Sequence, residues 1–194
     1  TNGTYTLALA KIKAYADDAS NPVPEAGDYA AIGVTGIGGS GQPDVAALNT
    51  ALADGDIQSG QVPTAAAVQT LINAYTAITA AADGTADGDT HPTQVQYSAI
   101  GVNGVDSAVK ESLLGSVIDA KAFADVNTVG EVQDLANAVA AVMSGAAGNT
   151  APTKAQLDLL GINGVTADNL AAVQAALAAS ADNGSGVDTK TKLQ

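Results

Sequence analysis

The sequence predicts an all-α protein: a tandem array of about three small three-helix-bundle modules joined by Gly- and Asp-rich turns. Three observations predict it. One phrase occurs three times, as Tyr29-Ala-Ala-Ile-Gly-Val-Thr-Gly-Ile37, Tyr97-Ser-Ala-Ile-Gly-Val-Asn-Gly-Val105 and Leu157-Asp-Leu-Leu-Gly-Ile-Asn-Gly-Val165. Its first glycine moves from 33 to 101 to 161, and repetition at that scale marks an array of similar units. A second phrase, Thr64-Ala-Ala-Ala-Val-Gln-Thr-Leu-Ile-Asn-Ala-Tyr-Thr-Ala-Ile78, returns 64 residues later from Thr128 to Val142 and keeps the Val, Gln, Leu and Asn positions. Every periodic segment fits 3.6 residues per turn, and none alternates over more than a few residues.

The elements follow in order. Thr4 to Ala16, with Leu7, Leu9, Ile12 and Tyr15, reads as the tail of a long helix. Pro24, Pro92 and Pro152 each stand nine residues before the repeated glycine. Proline in the first turn and glycine just past the end is the expected asymmetry. Residues 24–32, 92–100 and 152–160 therefore read as short helices. Gly33, Gly36, Gly101, Gly104, Gly161 and Gly164 form the structural turns that follow, the first of each pair with positive φ. Asn-Gly also marks hairpins, but the flanks here lack strand alternation. Medium helices come next. Val45, Leu48 and Leu52 share their spacing with Leu170, Val173 and Leu177, and the middle copy uses Val109, Leu113, Leu114, Val117 and Ile118. Long helices follow Thr64 and Thr128, which are natural N-caps, and Thr128 with Glu131 makes a capping box. In the first, Val68, Leu71, Ile72, Tyr75 and Ile78 share one face; in the second, Val132, Leu135, Val139 and Val142. Tyr29, Tyr75 and Tyr97 lie at core positions of this pattern. Val187 to Gln194 reads as the start of one more long helix.

The expected organisation is thus 1–20 as the end of a long helix from a preceding module, 21–84 and 85–148 as complete modules, and 149–194 as a partial one. The split long helix at the two ends suggests a stretch cut from inside a longer array.

Charge narrows the function classes. The chain carries 20 acids, 17 of them Asp, against seven Lys, with no Arg, for a net charge of −13. Nucleic acid binding is excluded, because neutralising phosphates needs a basic surface. Anionic membranes are disfavoured for the same reason, and no apolar run approaches the ~20 residues that span a bilayer. Asp favours caps and turns over helix faces, so the charge sits in the connections. The absence of Cys removes disulfides and thiolate metal sites. No export-signal pattern occurs within 1–13.

Candidate chemistry is sparse. The loop Asp83-Gly-Thr-Ala-Asp-Gly-Asp-Thr-His91 gathers Asp83, Asp87 and Asp89, hard oxygen ligands of the kind calcium prefers. The spacing matches an EF-hand loop only in part and lacks the bidentate Glu. Weak calcium binding is the candidate metal chemistry, a solvated turn is the plainer reading, and no cofactor is required. Asp182 to Asp188 and Asp54 to Asp56 are weaker clusters. Gly38 to Asp44 approaches a calcium nonapeptide but has an extra residue and no repeat, so it reads as a flexible insertion with Asp44 capping the next helix. His91, the one imidazole, reads as exposed. No Ser-His-Asp set or carboxylate pair recurs between modules, so no catalytic residue is assigned and enzymatic activity is not expected.

The phrases YxAIGVxGV, NLAAVxxAL and TVxEVQxLxNA resemble helical tandem repeats of very large secreted Gram-negative adhesins of the hemolysin-type, calcium-rich, type I-secreted class. The resemblance covers nearly the whole chain, and it carries no mapped site to transfer. A looser resemblance, of topology, is to three-helix albumin-binding modules of bacterial surface proteins. The first resemblance implies an extracellular or cell-surface location and a structural spacer, with neighbouring repeats of the same chain as partners. The alternative is a helical binding module for a host or cell-surface protein or glycan, the receptor being unassigned. Scattered Ala, Thr, Gln and Asp on the exposed faces would mark the spacer; a contiguous apolar patch would mark the binder.

Overall fold

The computed structural model describes residues 2–54 and 56–194. Thr1, at the head of the 1–20 segment, and Gly55, inside the Asp54-Gly55-Asp56 run, lie outside the described residues. Among the described residues there are ten α-helices, one 3-10 turn and no strand, as the periodicity predicts. They are α1 (Asn2–Asp17), α2 (Ala26–Ala31), α3 (Val45–Ala53), α4 (Ala65–Ala81), α5 (Gln94–Ala99), α6 (Ala108–Ile118), α7 (Val129–Ala146), α8 (Lys154–Leu159), α9 (Leu170–Ala178) and α10 (Lys190–Leu193), with the 3-10 turn at Phe123–Asp125 between α6 and α7. None of them is long and apolar enough to cross a membrane.

The short helices start two residues later than the prolines suggest. Pro92 and Pro152 precede the cap rather than opening the helix, because the next residue, Thr93 or Thr153, supplies what a proline cannot. The Thr93 hydroxyl accepts from the Gln96 amide at 3.3 Å, and Gln96 Oε1 accepts from the Thr93 amide at 2.8 Å. Thr153 and Gln156 repeat the arrangement. Two orphan donors are satisfied reciprocally, and the backbone amide that closes the box belongs to Thr, which proline lacks. Pro24 is followed in the same way by Glu25, whose amide donates to Asp28. The long helices begin where their threonines indicate: Thr64, Thr128 and Thr189 each accept from the third residue of α4, α7 and α10.

Each long helix packs on the short and medium helices that come after it. Helix α1 lies against α2 and α3, α4 against α5 and α6, and α7 against α8 and α9. These contacts run across residues 20, 84 and 148. Two further pairings, α3 with α7 and α6 with α10, each join a medium helix to the second long helix after it, and α6 also packs on α7. One apolar cluster runs without interruption from Ala8 to Val187. Tyr29, Tyr75 and Tyr97 are its largest fully buried side chains, which places them in the core as their helical spacing predicts. The solvent-accessible surface is 8675 Å² for 18.9 kDa. A compact monomer of that mass exposes about 8,300 Å². The repeats are therefore stacked against one another, not strung apart on linkers.

Candidate functional site

The repeated turn is the most regular feature of the molecule. Gly101 (φ +92°) and Gly161 (φ +72°) end α5 and α8, and Gly33 (φ +79°) ends α2. At Gly101 the amides of Val102 and Gly101 reach back to the carbonyls of Tyr97 and Ser98, at 3.0 and 3.1 Å. That is a Schellman closure, and it requires the left-handed backbone that glycine adopts without strain. Gly36, Gly104 and Gly164 also have positive φ. All six glycines of the three turns thus share the left-handed backbone.

A glutamine grips the residue between the two glycines. Gln69 Oε1 accepts from the Thr35 amide at 2.9 Å, and its Nε2 donates to the Thr35 carbonyl at 3.0 Å and to Asn73 Oδ1 at 2.9 Å. Gln133 does the same to Asn103 at 2.7 and 3.1 Å, with Asn137 as its third partner at 3.0 Å. Gln194 grips Asn163 at 2.9 and 3.0 Å. The shared Gln and Asn of the second phrase thus have a common role. They pin the turn between short and medium helices to the long helix that follows. Gln133→Ala is expected to lower stability by about 1 kcal/mol, because the bonds are exposed and water replaces part of each. Urea denaturation checks this, and an unchanged midpoint would show that the clamp adds nothing.

The acidic loop assembles differently from its expected composition. Asp87 and Asp89 come together with Asp119, each offering a carboxylate oxygen within 4.8 Å of the others. Asp83 turns to its own loop, accepting from the Thr85 amide at 2.8 Å. Asp119 caps the C-terminal end of α6 and is 6% exposed. A carboxylate is disfavoured at that end of a helix dipole. It is held there by the amides of Gly88 and Asp89, at 3.3 and 3.1 Å. The Asp87 charge, then burial, then Asp83 and Asp119, raise the Asp89 carboxyl above its ordinary pKa. The folded state therefore binds this proton more tightly than the unfolded chain does. Repulsion in the cluster costs stability at neutral pH and is relieved as the pH falls through the raised pKa. A bound cation would relieve it in the same way.

The remaining candidates are used by the protein itself. Asp56 accepts from Asn103 Nδ2 at 2.8 Å, and Asp188 pairs with Lys192 at 2.7 Å. The Gly38–Asp44 insertion is fastened rather than free: the buried Thr79 hydroxyl donates to the Gly41 carbonyl at 2.8 Å, and Asp44 caps α3 through the Ala47 amide at 2.7 Å. His91 is half-buried, not exposed, with its ring lying directly over Gly115 of α6, where the missing Cβ leaves room. Its side chain does not belong to the carboxylate group.

Sequence reasoning missed Asp119 and Gln194. The signal for Asp119 was an acid at the end of an apolar helix, where it needs a partner. The signal for Gln194 was its place five residues after Thr189, matching Gln69 after Thr64 and Gln133 after Thr128. Val62, Val126 and Val187 also recur two residues before those threonines, and all three are buried.

Comparison with protein-family models, with curated proteins and with solved structures returned no match.

Proposed function

We propose that this chain is a stacked helical spacer from a large bacterial cell-surface or secreted adhesin. Each unit is a three-helix bundle made of one long helix and the short and medium helices after it. The observation that carries the reading is the recurrence, three times, of one turn and one glutamine clamp on the surface of a continuous apolar core. Such repetition suits a part that sets distance. The net charge of −13 keeps an array of this kind dispersed. No arrangement of side chains recurs that would serve catalysis, and we assign no enzymatic role. One observation favours the alternative of a binding module: an uncharged groove near Val95, which is 77% exposed.

The test places one or two copies of the chain between a surface anchor and a folded reporter. A spacer holds the reporter farther out with each added copy. A distance independent of copy number, or retention of a host glycan or protein by the chain alone, contradicts the reading.

Calcium belongs to this proposal as a weak ligand of Asp87, Asp89 and Asp119. Extracellular modules with few charged ligands bind in the millimolar range. At a concentration equal to Kd, calcium adds only about 0.4 kcal/mol. The protein is expected to fold in chelator, to melt at nearly the same temperature with calcium, and to show its first calcium-dependent amide shifts at Asp87, Asp89 and Asp119. A rise in Tm above about ten degrees, far beyond what 0.4 kcal/mol gives, would show a structural metal site.

A further inference from the structure

Four asparagines of this chain precede glycine: Asn2, Asn103, Asn163 and Asn183. An asparagine in that place carries its own reagent. The nitrogen of the next residue can reach the side-chain carboxamide carbon and close a succinimide ring, and glycine lacks the side chain that otherwise blocks the approach. In a folded protein the reaction needs a free attacking nitrogen, a carboxamide free to turn, and a backbone not locked in a helix. The structure sorts the four sites by these conditions.

Asn183 fails the first. The Gly184 amide donates to the Ala181 carbonyl at 2.8 Å, and Gly184 is buried against Met143. Asn103 fails the second. Its Nδ2 donates to Asp56 Oδ2 at 2.8 Å and to the Gly101 carbonyl at 3.3 Å, which ties the carboxamide to the loop before α4. Asn2 fails the third, because it lies in the first turn of α1, where the helical backbone holds the next nitrogen away from the carboxamide.

Asn163 meets all three. It is exposed in the turn between α8 and α9. Among the described residues, neither its carboxamide nor the Gly164 amide makes a hydrogen bond; Gln194 holds only the Asn163 backbone. Gln133 holds the Asn103 backbone in the same way, so the clamp does not separate the two sites. The Asp56 carboxylate does.

We propose that Asn163 is a site of spontaneous covalent modification, converting to aspartate and isoaspartate ahead of the other three. The Gly164 nitrogen bonds to Asn163 Cγ, the Cγ–Nδ2 bond breaks, and the Gly164 amide proton leaves with the side-chain nitrogen as ammonia. Water then adds to either carbonyl of the succinimide. Opening one ring bond yields aspartate, and opening the other yields isoaspartate. Nothing is oxidised or reduced, and water is the only co-reactant.

The consequence falls on the clamp. In isoaspartate the chain runs through the Cβ methylene and is longer by that carbon, while the former main-chain carbonyl becomes a free carboxylate. Gln194 then loses the paired amide and carbonyl it grips, and a further negative charge joins a chain of net charge −13. The first turn carries Thr35 at this place, which has no such chemistry. The three turns thus differ in lifetime: the first is permanent, the second is guarded by Asp56 and the third is open. The inference concerns one turn and does not rest on the spacer reading, so the failure of either leaves the other standing.

The test incubates the whole chain at mildly alkaline pH, digests samples over time and follows each Asn-Gly peptide by mass spectrometry, with isoaspartate methyltransferase marking the isoaspartate. Asn163 is expected to convert first. Asn103 should lag by roughly threefold to tenfold, the factor one hydrogen bond supplies when it has to break before reaction. Asp56→Ala should erase most of that lag, and denaturant should bring the four sites to similar rates. After ageing, the Asn163 amide should lose its protection from hydrogen exchange. Asn163→Thr, which installs the residue of the first turn, should keep that protection through the same ageing. Conversion of Asn103 or Asn183 as fast as Asn163 in the native protein would overturn the proposal. So would an Asp56→Ala variant in which Asn103 keeps its lag, or an order of rates that persists in denaturant. An aged Asn163 amide that stays protected would refute the loss of the clamp.

Discussion

Truncating Tyr75 to alanine is expected to destabilise the protein by about 3–5 kcal/mol, the range for losing a buried large aromatic. Tyr75 is 0% exposed, and its hydroxyl donates to the Val126 carbonyl at 3.0 Å. The ring therefore fills the seam between α4 and the loop leading into α7, one repeat further on. Tyr75→Phe keeps the ring and leaves that carbonyl without its donor, for an expected cost of about 1–2 kcal/mol. A domain of this size has about 5–15 kcal/mol in hand, so the alanine variant should be marginal and the phenylalanine variant sound. Equilibrium denaturation separates them. Equal costs for the two would show that the ring does not hold the seam.

Gly101→Val carries the second large effect. Gly101 has φ +92°, and an added Cβ would stand 3.4 Å from Asp56 Cβ and 3.5 Å from Ile57 Cγ1. Gly33 offers a control, since its φ is +79° but no atom lies within 4 Å of an added Cβ. The left-handed backbone alone costs an ordinary residue about 1–2 kcal/mol. Gly33→Val should show that cost and Gly101→Val a larger one, because the turn of one repeat is pressed against the loop of the repeat before it. Denaturation midpoints check both. An unchanged midpoint for Gly101→Val would contradict the turn, and the reverse order would contradict the contact.

The helices were legible because their causes are local. Thr64, Thr128 and the apolar positions after them act within one helix, and the turn glycines act within four residues. What joins the repeats was not legible, because its causes are distant. Gln69 and Gln133 stood out as shared positions, but their partners are backbone groups of turns 34 and 30 residues away. Asp119 escaped for the same reason: the amides that hold it are about 30 residues earlier, in the loop it completes. His91 looked exposed in its loop because nothing in its neighbourhood along the chain reveals Gly115 beneath it. The prolines were read two positions too far into their helices, since proline suits both places and only the residues that follow it decide between them.

The joint between repeats is best tested by amide hydrogen exchange at the first residue of each long helix. Such amides ordinarily exchange fast, having no partner within the helix. The Val129 amide is bonded to Thr50 and the Lys190 amide to Ser116, across 79 and 74 residues of chain. Both are expected to be protected in the native state, while the amide of Ala65, at the uncovered start of α4, exchanges quickly. Thr50→Val should release the Val129 amide without releasing that of Lys190. Fast exchange at Val129 and Lys190 in the wild type, at the rate of Ala65, would contradict the docking of α7 on α3 and of α10 on α6.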